Sequence, residues 1–385
     1  MKKKRTIKKQ NASGTKRVAL RNHLCYSVYS NGLRPSERTT NMTPGENNVI
    51  VTAQAGAEQC ARNELERAGV GLSGVRWLAP CVGLAAMEGG FLRLAEAFRR
   101  QPPIFIRHMC PASLRVPHDG DARTPALLTA EVMHAFAARI DPLRSFAVQA
   151  VFLGDADLSY KRFDVQEQMA NALVQEGAML EVARPAQVIS VVHLPNEAYL
   201  GISEAEDNLS DWGGGARRFA QEPEQISRAE FKLLEALEAF RIALPEAGTA
   251  LDLGAAPGGW TRVLRGRGLL VVAVDPAALD PRLAEDTGVT HFRGTAQRFL
   301  ETPRVFDIIV NDMRMDARES ARIMGQMADC LDPAGLAIMT LKLPHQGMQR
   351  QAAQAIALLE TWYRVVAARQ LFHNRAEVTV VLRRK

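Results

Sequence analysis

The chain has 385 residues, 47% of them hydrophobic and 23% charged, which excludes intrinsic disorder and leaves length for two or three domains with real cores. No run approaches the roughly 18 uninterrupted apolar residues of a membrane helix. The five cysteines (Cys25, Cys60, Cys81, Cys110, Cys330) are widely spaced without a C-x-x-C, which argues for reduced thiols in a cytoplasmic protein and against a zinc site or a disulfide scaffold.

The net charge of +6 belongs to one end. Residues 1–41 hold 11 basic side chains and one acid, Glu37, whereas residues 42–214 sum to −7 and residues 215–385 to +3. Three readings of residues 1–41 stay open: a basic RNA-contacting arm, an organelle-type presequence, or upstream sequence ahead of a start at Met42. Residues 1–47 are accordingly set aside as a basic, disordered tail or a misassigned start. From Asn48 strands and helices alternate. A strand over Val49–Gln54 precedes an amphipathic helix over Ala57–Ala68, a pair of strand segments over Val75–Met87, a helix over Phe91–Arg100 and a strand over Ile104–Val116. A second unit has a helix over Pro125–Ile140, a strand over Phe146–Leu153, a helix over Asp164–Leu180, and strands Val188–His193 and Ala198–Ile202. These are two α+β modules, 48–118 and 119–205. Residues Gly201–Gln225, with acids, three glycines and Pro223, have linker composition, so 206–223 is expected to join them to a third domain, 224–385. Arg217 and Arg218 in that linker are either phosphate contacts or a solvated pair.

The third domain carries the chemistry. Ser227 and Glu230 have capping-box spacing ahead of a helix whose apolar stripe is Phe231, Leu234, Leu237 and Phe240. Ala250–Trp260, ALDLGAAPGGW, is a strand ending in Asp252, a turn through Gly254, and a helix starting at Pro257–Gly258–Gly259. Glycines let backbone approach a ligand, and Pro suits a first helical turn. The next strand, Leu269–Val274, ends in Asp275, 21 residues after Gly254, where a carboxylate can accept both hydroxyls of a ribose. Ala256 stands where a dinucleotide fold places its second glycine, so the ligand reads as a nucleoside without phosphates, S-adenosylmethionine; a turn without a ligand is the alternative. Strands Phe306–Val310, Leu336–Pro344, Val365–Leu371 and Val378–Leu382 follow, with Asp312, Lys342 and Glu377 at or near strand ends, the edge where open α/β sheets bind ligands. Lys342, within IMTLKLP, is either a functional ammonium or a lysine snorkelling to water. Lys232 is a surface lysine or part of the same site. Arg314, Arg318 and Arg322 recur at four-residue spacing, as a basic stripe or a solvated face. His345 and His373 have no second ligand at metal spacing and read as polar rim residues, so no metal is expected.

The stretches DLGAAPGGWT, VVAVDP, NDMRMD, LKLP and ARQLFHNRAEVTVVLRR resemble the RlmM family, bacterial 23S rRNA cytidine-2′-O-methyltransferases with an FtsJ-type catalytic domain. The resemblance runs from about Asn48 to Lys385. It implies a Rossmann-like domain with a mostly parallel seven-stranded sheet, preceded by ferredoxin-like and THUMP-like α+β domains that present RNA. It also implies a catalytic tetrad of Lys232, Asp312, Lys342 and Glu377. The cofactor, S-adenosylmethionine, is expected at Asp252, Gly254, Ala256, Pro257, Gly258, Gly259, Trp260 and Asp275. The linker around Asn208–Phe219, with its triple glycine, departs from the family pattern, and residues 1–41 fall outside it. The resulting expectation is a cytoplasmic RNA ribose 2′-O-methyltransferase, with no membrane partner and an undetermined oligomeric state. Two alternatives differ in class: a non-catalytic RNA-binding or assembly protein, and a methyltransferase of another RNA, a protein or a small molecule.

Overall fold

A computed structural model describes Gly45 and residues 47–154, 156–301 and 304–385. The expectation for the basic tail falls almost wholly outside these residues.

The first module runs β1 (Asn48–Thr52), α1 (Glu58–Arg67), β2 (Leu72–Ala79), β3 (Val82–Met87), α2 (Gly90–Arg100) and β4 (His108–Pro111), in a four-stranded antiparallel sheet of order β2-β3-β1-β4. The period-2 alternation of a strand, with both faces covered, explains why β1 is buried throughout and apolar at its centre. Val49 and Val51 face Leu65, Leu94 and Phe98 of the helices, whereas Ile50 faces Leu153, Val192 and Tyr199 of the second module.

That second module comprises β5 (Leu114–Pro117), α3 (Thr124–Phe136), β6 (Ser145–Phe152), α4 (Arg162–Gln175), β7 (Met179–Leu180), β8 (Gln187–His193) and β9 (Glu197–Glu204), with sheet order β5-β9-β8-β6-β7. β6 runs parallel to β7 and β8, and the remaining pairs are antiparallel.

Three expectations change here. The single strand over Ile104–Val116 is two short strands in different sheets, because the chain leaves β4 at Pro111 and re-pairs with β9 from Leu114. The helix expected to Leu180 stops at Gln175, where Gly177 takes φ +93°, a value a helix cannot use, and Met179–Leu180 pairs as an edge strand. The first part of the linker is packed rather than solvated: Gly201–Glu204 belongs to β9, and Asp207 and Asn208 are buried, whereas residues 220–224 are exposed. Backbone carbonyls anchor it, with Thr52 Oγ1 donating to Gly214 O at 2.9 Å and Gln149 Nε2 to Asp211 O at 2.8 Å.

The third domain is doubly wound. After α5 (Glu230–Ala239) come β10 (Thr249–Leu253), α6 (Gly259–Arg265), β11 (Leu270–Val274), α7 (Pro281–Ala284), β12 (Val289–Phe292), α8 (Ala296–Phe299), β13 (Phe306–Asn311), α9 (Ala317–Gln326), β14 (Leu331–Lys342), α10 (Met348–Leu359), β15 (Tyr363–Arg369) and β16 (Glu377–Arg384). Seven strands order as β12-β11-β10-β13-β14-β16-β15, parallel except at β16. This is the expected mixed α/β fold with a largely parallel sheet. One face packs Ala250, Ile308, Val310 and Ile338 against Leu233 and Trp260 of α5 and α6; the other packs Leu251, Ile309 and Met339 against Ala321 of α9 and Ala352 of α10. The edge strand β12 has no counterpart in the sequence reading. Contacts join the first module to this domain: Gln370 N donates to Ile104 O at 2.7 Å, and Asn63 Nδ2 donates to Gln349 Oε1 at 2.8 Å.

Candidate functional site

The parallel strands β10, β11, β13 and β14 end on one edge of the sheet, and the residues singled out from sequence collect there. Side chains two apart on a strand share a face. Ile338, Thr340 and Lys342 therefore point to the α5 side, while Met339 and Leu341 enter the opposite core. Lys342 pairs in register with Glu377 across the antiparallel β14–β16 ladder. α5 covers this face and brings down Lys232.

The four side chains form a closed ring of alternating charge. Lys342 Nζ binds Asp312 Oδ1 and also lies 3.1 Å from Glu377 Oε1 and 2.7 Å from Thr340 Oγ1. Lys232 Nζ lies 2.7 Å from Glu377 Oε2 and 3.3 Å from both Asp312 oxygens. Thr340 Oγ1 donates to Asp312 Oδ1 at 2.5 Å, so a fifth residue, absent from the sequence reading, belongs to the cluster. All four charged side chains are only 14–20% exposed. Burial opposes charge on Asp312, but Lys342 and Lys232 outweigh it and hold the carboxyl below its ordinary range. Burial likewise pulls the Lys232 ammonium down, and Asp312 with Glu377 more than offsets this, so Lys232 stays above the ordinary lysine value. Lys232 is therefore a fixed cation near neutral pH and not a solvated surface lysine.

The glycine turn lies beside this ring, since Asp312 N donates to Leu253 O at 3.3 Å. Gly254 has φ +74°, and a Cβ there would fall 2.9 Å from Met313 Cα. Gly258 has φ +118° and precedes α6, so the helix begins at Gly259, two residues later than expected from Pro257. Gly259 abuts Ser227, where a Cβ would meet Oγ at 2.3 Å. Glu230 supplies the expected reach-back of a capping box, accepting from Ile226 N at 2.7 Å and Ser227 N at 3.3 Å. The Ser227 hydroxyl does not cap the helix, whose N-cap is Ala229.

The expected cofactor residues divide into two groups. Gly254, Ala256, Pro257, Gly258 and Gly259 form the turn, and Asp275 faces it, accepting from Ala256 N at 3.1 Å and Ala277 N at 2.8 Å. Each Asp275 oxygen keeps a lone pair free for a hydroxyl. Asp252 and Trp260 instead turn inward. Asp252 is 1% exposed and takes the Thr261 hydroxyl at 2.6 Å, and burial pushes its carboxyl up to about 7. Trp260 packs in the core under α5 and donates from Nε1 to Ala229 O at 2.8 Å. Both side chains are thus engaged by neighbouring protein groups rather than turned to the open side of the turn.

Other expectations are redistributed. Arg314 precedes α9, so only Arg318 and Arg322 share that helix. His345 is exposed, as a rim residue would be. His373 is not: its ring packs 5.2 Å from Phe231 and 5.5 Å from Phe219, and burial pushes it down to about 4. Arg217 stacks 4.2 Å over Phe219 and pairs with Glu238 at 2.6 Å, so it is not a freely solvated side chain.

Residues 225–346 match the FtsJ-like methyltransferase family. A ribosomal RNA large subunit methyltransferase M from Halorhodospira halophila is 40% identical over 176 residues, 45% of this chain and 51% of that protein. Its counterpart from Psychromonas ingrahamii is 33% identical over 201 residues, 48% of this chain and 54% of that protein. The chain thus spans about half the length of these curated relatives. Among solved structures, TrmN from Thermus thermophilus aligns at a TM-score of 0.35 and 16% identity, over 88% of this chain and 99% of that one. Residues 225–346 thus resemble FtsJ-like methyltransferases, and the chain is similar in sequence to the ribosomal RNA large subunit methyltransferase M proteins.

Proposed function

We propose that the protein transfers a methyl group from S-adenosylmethionine to a ribose 2′-hydroxyl of RNA, with a cytidine of 23S ribosomal RNA as the expected substrate. The observation that carries this reading is the Lys232–Asp312–Lys342–Glu377 ring at the carboxyl edge of the sheet, next to a turn whose Gly254 has no room for a Cβ. The residues present suit the cofactor: the glycine turn admits a close ligand, and Asp275 offers paired acceptors for ribose hydroxyls. When bound, S-adenosylmethionine supplies an electrophilic sulfonium methyl.

The chain's own task is to place and activate an oxygen nucleophile. A ribose hydroxyl attacks poorly until its proton is shared, and in-line placement contributes most of the remainder. Lys342 is the group assigned to meet that hydroxyl, because Asp312, Thr340 and Glu377 fix its Nζ from three sides. Lys232 stays charged and, with Lys342, holds Asp312 ionised. An ammonium can give up its proton and a guanidinium cannot, so lysine suits this position where arginine does not.

The βαββαβ order of residues 48–111 and its 2-3-1-4 sheet support a ferredoxin-like reading of the first module. The second is read as a THUMP-like RNA-presenting domain that takes in Leu114–Pro117. A cytoplasmic location goes with an RNA substrate. The test is to map 2′-O-methyl positions in ribosomal RNA from cells with and without the gene. Loss of one site, restored by the purified protein with S-adenosylmethionine, is expected; an unchanged map of all RNAs refutes the proposal.

A further inference from the structure

One short loop, residues 370–376, leads from β15 into β16 and its ring residue Glu377, and a buried carboxylate holds it. Glu235 lies one turn along α5 from Lys232 and is 2% exposed. Its Oε1 accepts the backbone N–H of Phe372 at 2.8 Å, and its Oε2 accepts that of His373 at 2.8 Å. At the far end of the loop, Leu343 N donates to Ala376 O at 2.7 Å, directly after Lys342. Asn374 Oδ1 closes the turn from within, accepting from Leu371 N at 2.8 Å and Thr379 Oγ1 at 2.9 Å. Lys232, Lys342 and Glu377 therefore sit on three elements that meet at this loop.

We propose that Glu235 is a positioning residue for methyl transfer: by clamping α5 to the Phe372–His373 backbone, it sets the spacing of Lys232 and Glu377 and so the frame in which Asp312 holds Lys342. The proposal rests on the function proposed above. Both Glu235 oxygens accept backbone amides, so it acts on the ring through backbone. The span it fixes is the one bridged by the 2.7 Å Lys232–Glu377 contact. A shift of about 1 Å at a reacting group can cost on the order of 100-fold in rate.

The clamp is also sensitive to protons. Charged and titratable groups face Glu235 from each element around it: Arg107 from the first module, Arg217 from the segment before α5, Glu238 on its own helix, and His373 in the loop. Burial pushes the carboxyl up to about 7, against the two amides and Arg107, which pull it down. Arg107 also stands 5.6 Å over the Phe372 ring, so the first module presses on the same joint. When Glu235 is protonated, one of its two acceptor oxygens becomes a hydroxyl and one amide bond weakens.

The test uses the full chain and Glu235→Gln, which keeps one acceptor and turns an NH2 toward the second amide. We expect kcat for RNA methylation to fall about 10- to 100-fold, with KM for RNA and Kd for S-adenosylmethionine within about threefold of the parent. The ratio of parent to variant kcat should widen from pH 6 to pH 8, because only the parent gains an ionised clamp over that range. A pH-independent ratio, or unchanged kcat with lowered thermal stability, overturns the proposal and leaves Glu235 merely structural. If the variant does not fold, hydrogen exchange of the parent over 371–376, corrected for intrinsic rates, decides: protection that rises from pH 6 to pH 8 supports the clamp, and flat protection overturns it. A parent that transfers no methyl group to RNA refutes the assigned function instead, and the exchange measurement still judges the clamp.

Discussion

Replacing Asp312 by Asn tests the charge ring with little change in shape. In the parent, two ammoniums and two carboxylates balance; the variant leaves Lys232 and Lys342 sharing Glu377 alone, at 2.7 and 3.1 Å. Breaking a fully buried ion pair costs about 3–5 kcal/mol, and the residual 14–20% exposure of these side chains lowers the expected loss to about 2–3 kcal/mol. For a cooperative domain of roughly 160 residues this is about 6–9 °C in Tm. The loss should depend on pH with a definite sign. In the parent, the depressed Asp312 contributes stability above the ordinary carboxylate range and loses it in acid, while the raised Lys232 contributes below the ordinary lysine range and loses it in strong alkali. The ring is thus constant near neutrality. In Asp312→Asn Lys232 loses a carboxylate that holds it charged and releases a proton more easily, so the deficit should shrink between pH 7 and pH 9.5. Adding Lys232→Met restores one charge of each sign and should recover at least half the lost stability, while methyl transfer stays abolished. Urea unfolding of the parent, the single and the double variant measures these stabilities, and a methyl-transfer assay checks the activity. A single variant within about 0.5 kcal/mol of the parent, or no recovery in the double variant, refutes the charge-ring account.

Other expectations concern the turn beside the ring. Gly254→Ala must hold alanine at φ +74° and drive a Cβ to 2.9 Å from Met313 Cα, so a loss of about 2–4 kcal/mol and a weakened affinity for S-adenosylmethionine are expected; calorimetry showing parental affinity contradicts this. Asp252 has a folded pKa raised to about 7, so ionising it costs the folded state and stability falls as pH rises toward and through 7. Asp252→Asn removes that dependence, and its stability relative to the parent should improve by roughly 2–4 kcal/mol between pH 5 and pH 8. Equal pH dependence in the two proteins would show that Asp252 ionises freely. Trp260→Ala should cost about 3–5 kcal/mol by emptying the core under α5, whereas Trp260→Phe, which loses mainly the bond to Ala229 O, should cost about 1 kcal/mol. Similar losses in thermal or urea melts of both variants would place the residue's contribution in the hydrogen bond.

The apolar strands were legible because burial on both faces leaves a continuous run, as in β1, β13 and β16. β12 was not: Val289–Phe292 is four residues at a half-exposed edge, with too few apolar positions to show a period. The packed segment after β9 was misread as a linker because it is held by the carbonyls of Leu209, Asp211 and Gly214, which leave no trace in composition. His373 read as a rim residue because its neighbours Phe219 and Phe231 come from far away in sequence. The ring residues were named from motif resemblance, yet a plainer signal was present. Beyond residue 41 the chain contains only four lysines, Lys161, Lys232, Lys342 and Lys385, among many arginines, and two of the four meet at the site. A chain that uses arginine for surface charge and keeps lysine here retains the one cation that can lose a proton.

The most direct measurement is methyl transfer to ribosomal RNA by Lys342→Ala, alongside its calorimetric affinity for S-adenosylmethionine. If Lys342 meets the 2′-hydroxyl, transfer is abolished while cofactor affinity stays within a few-fold of the parent. Retained turnover at a comparable rate would contradict the assignment of Lys342, and with it the central role given to the ring.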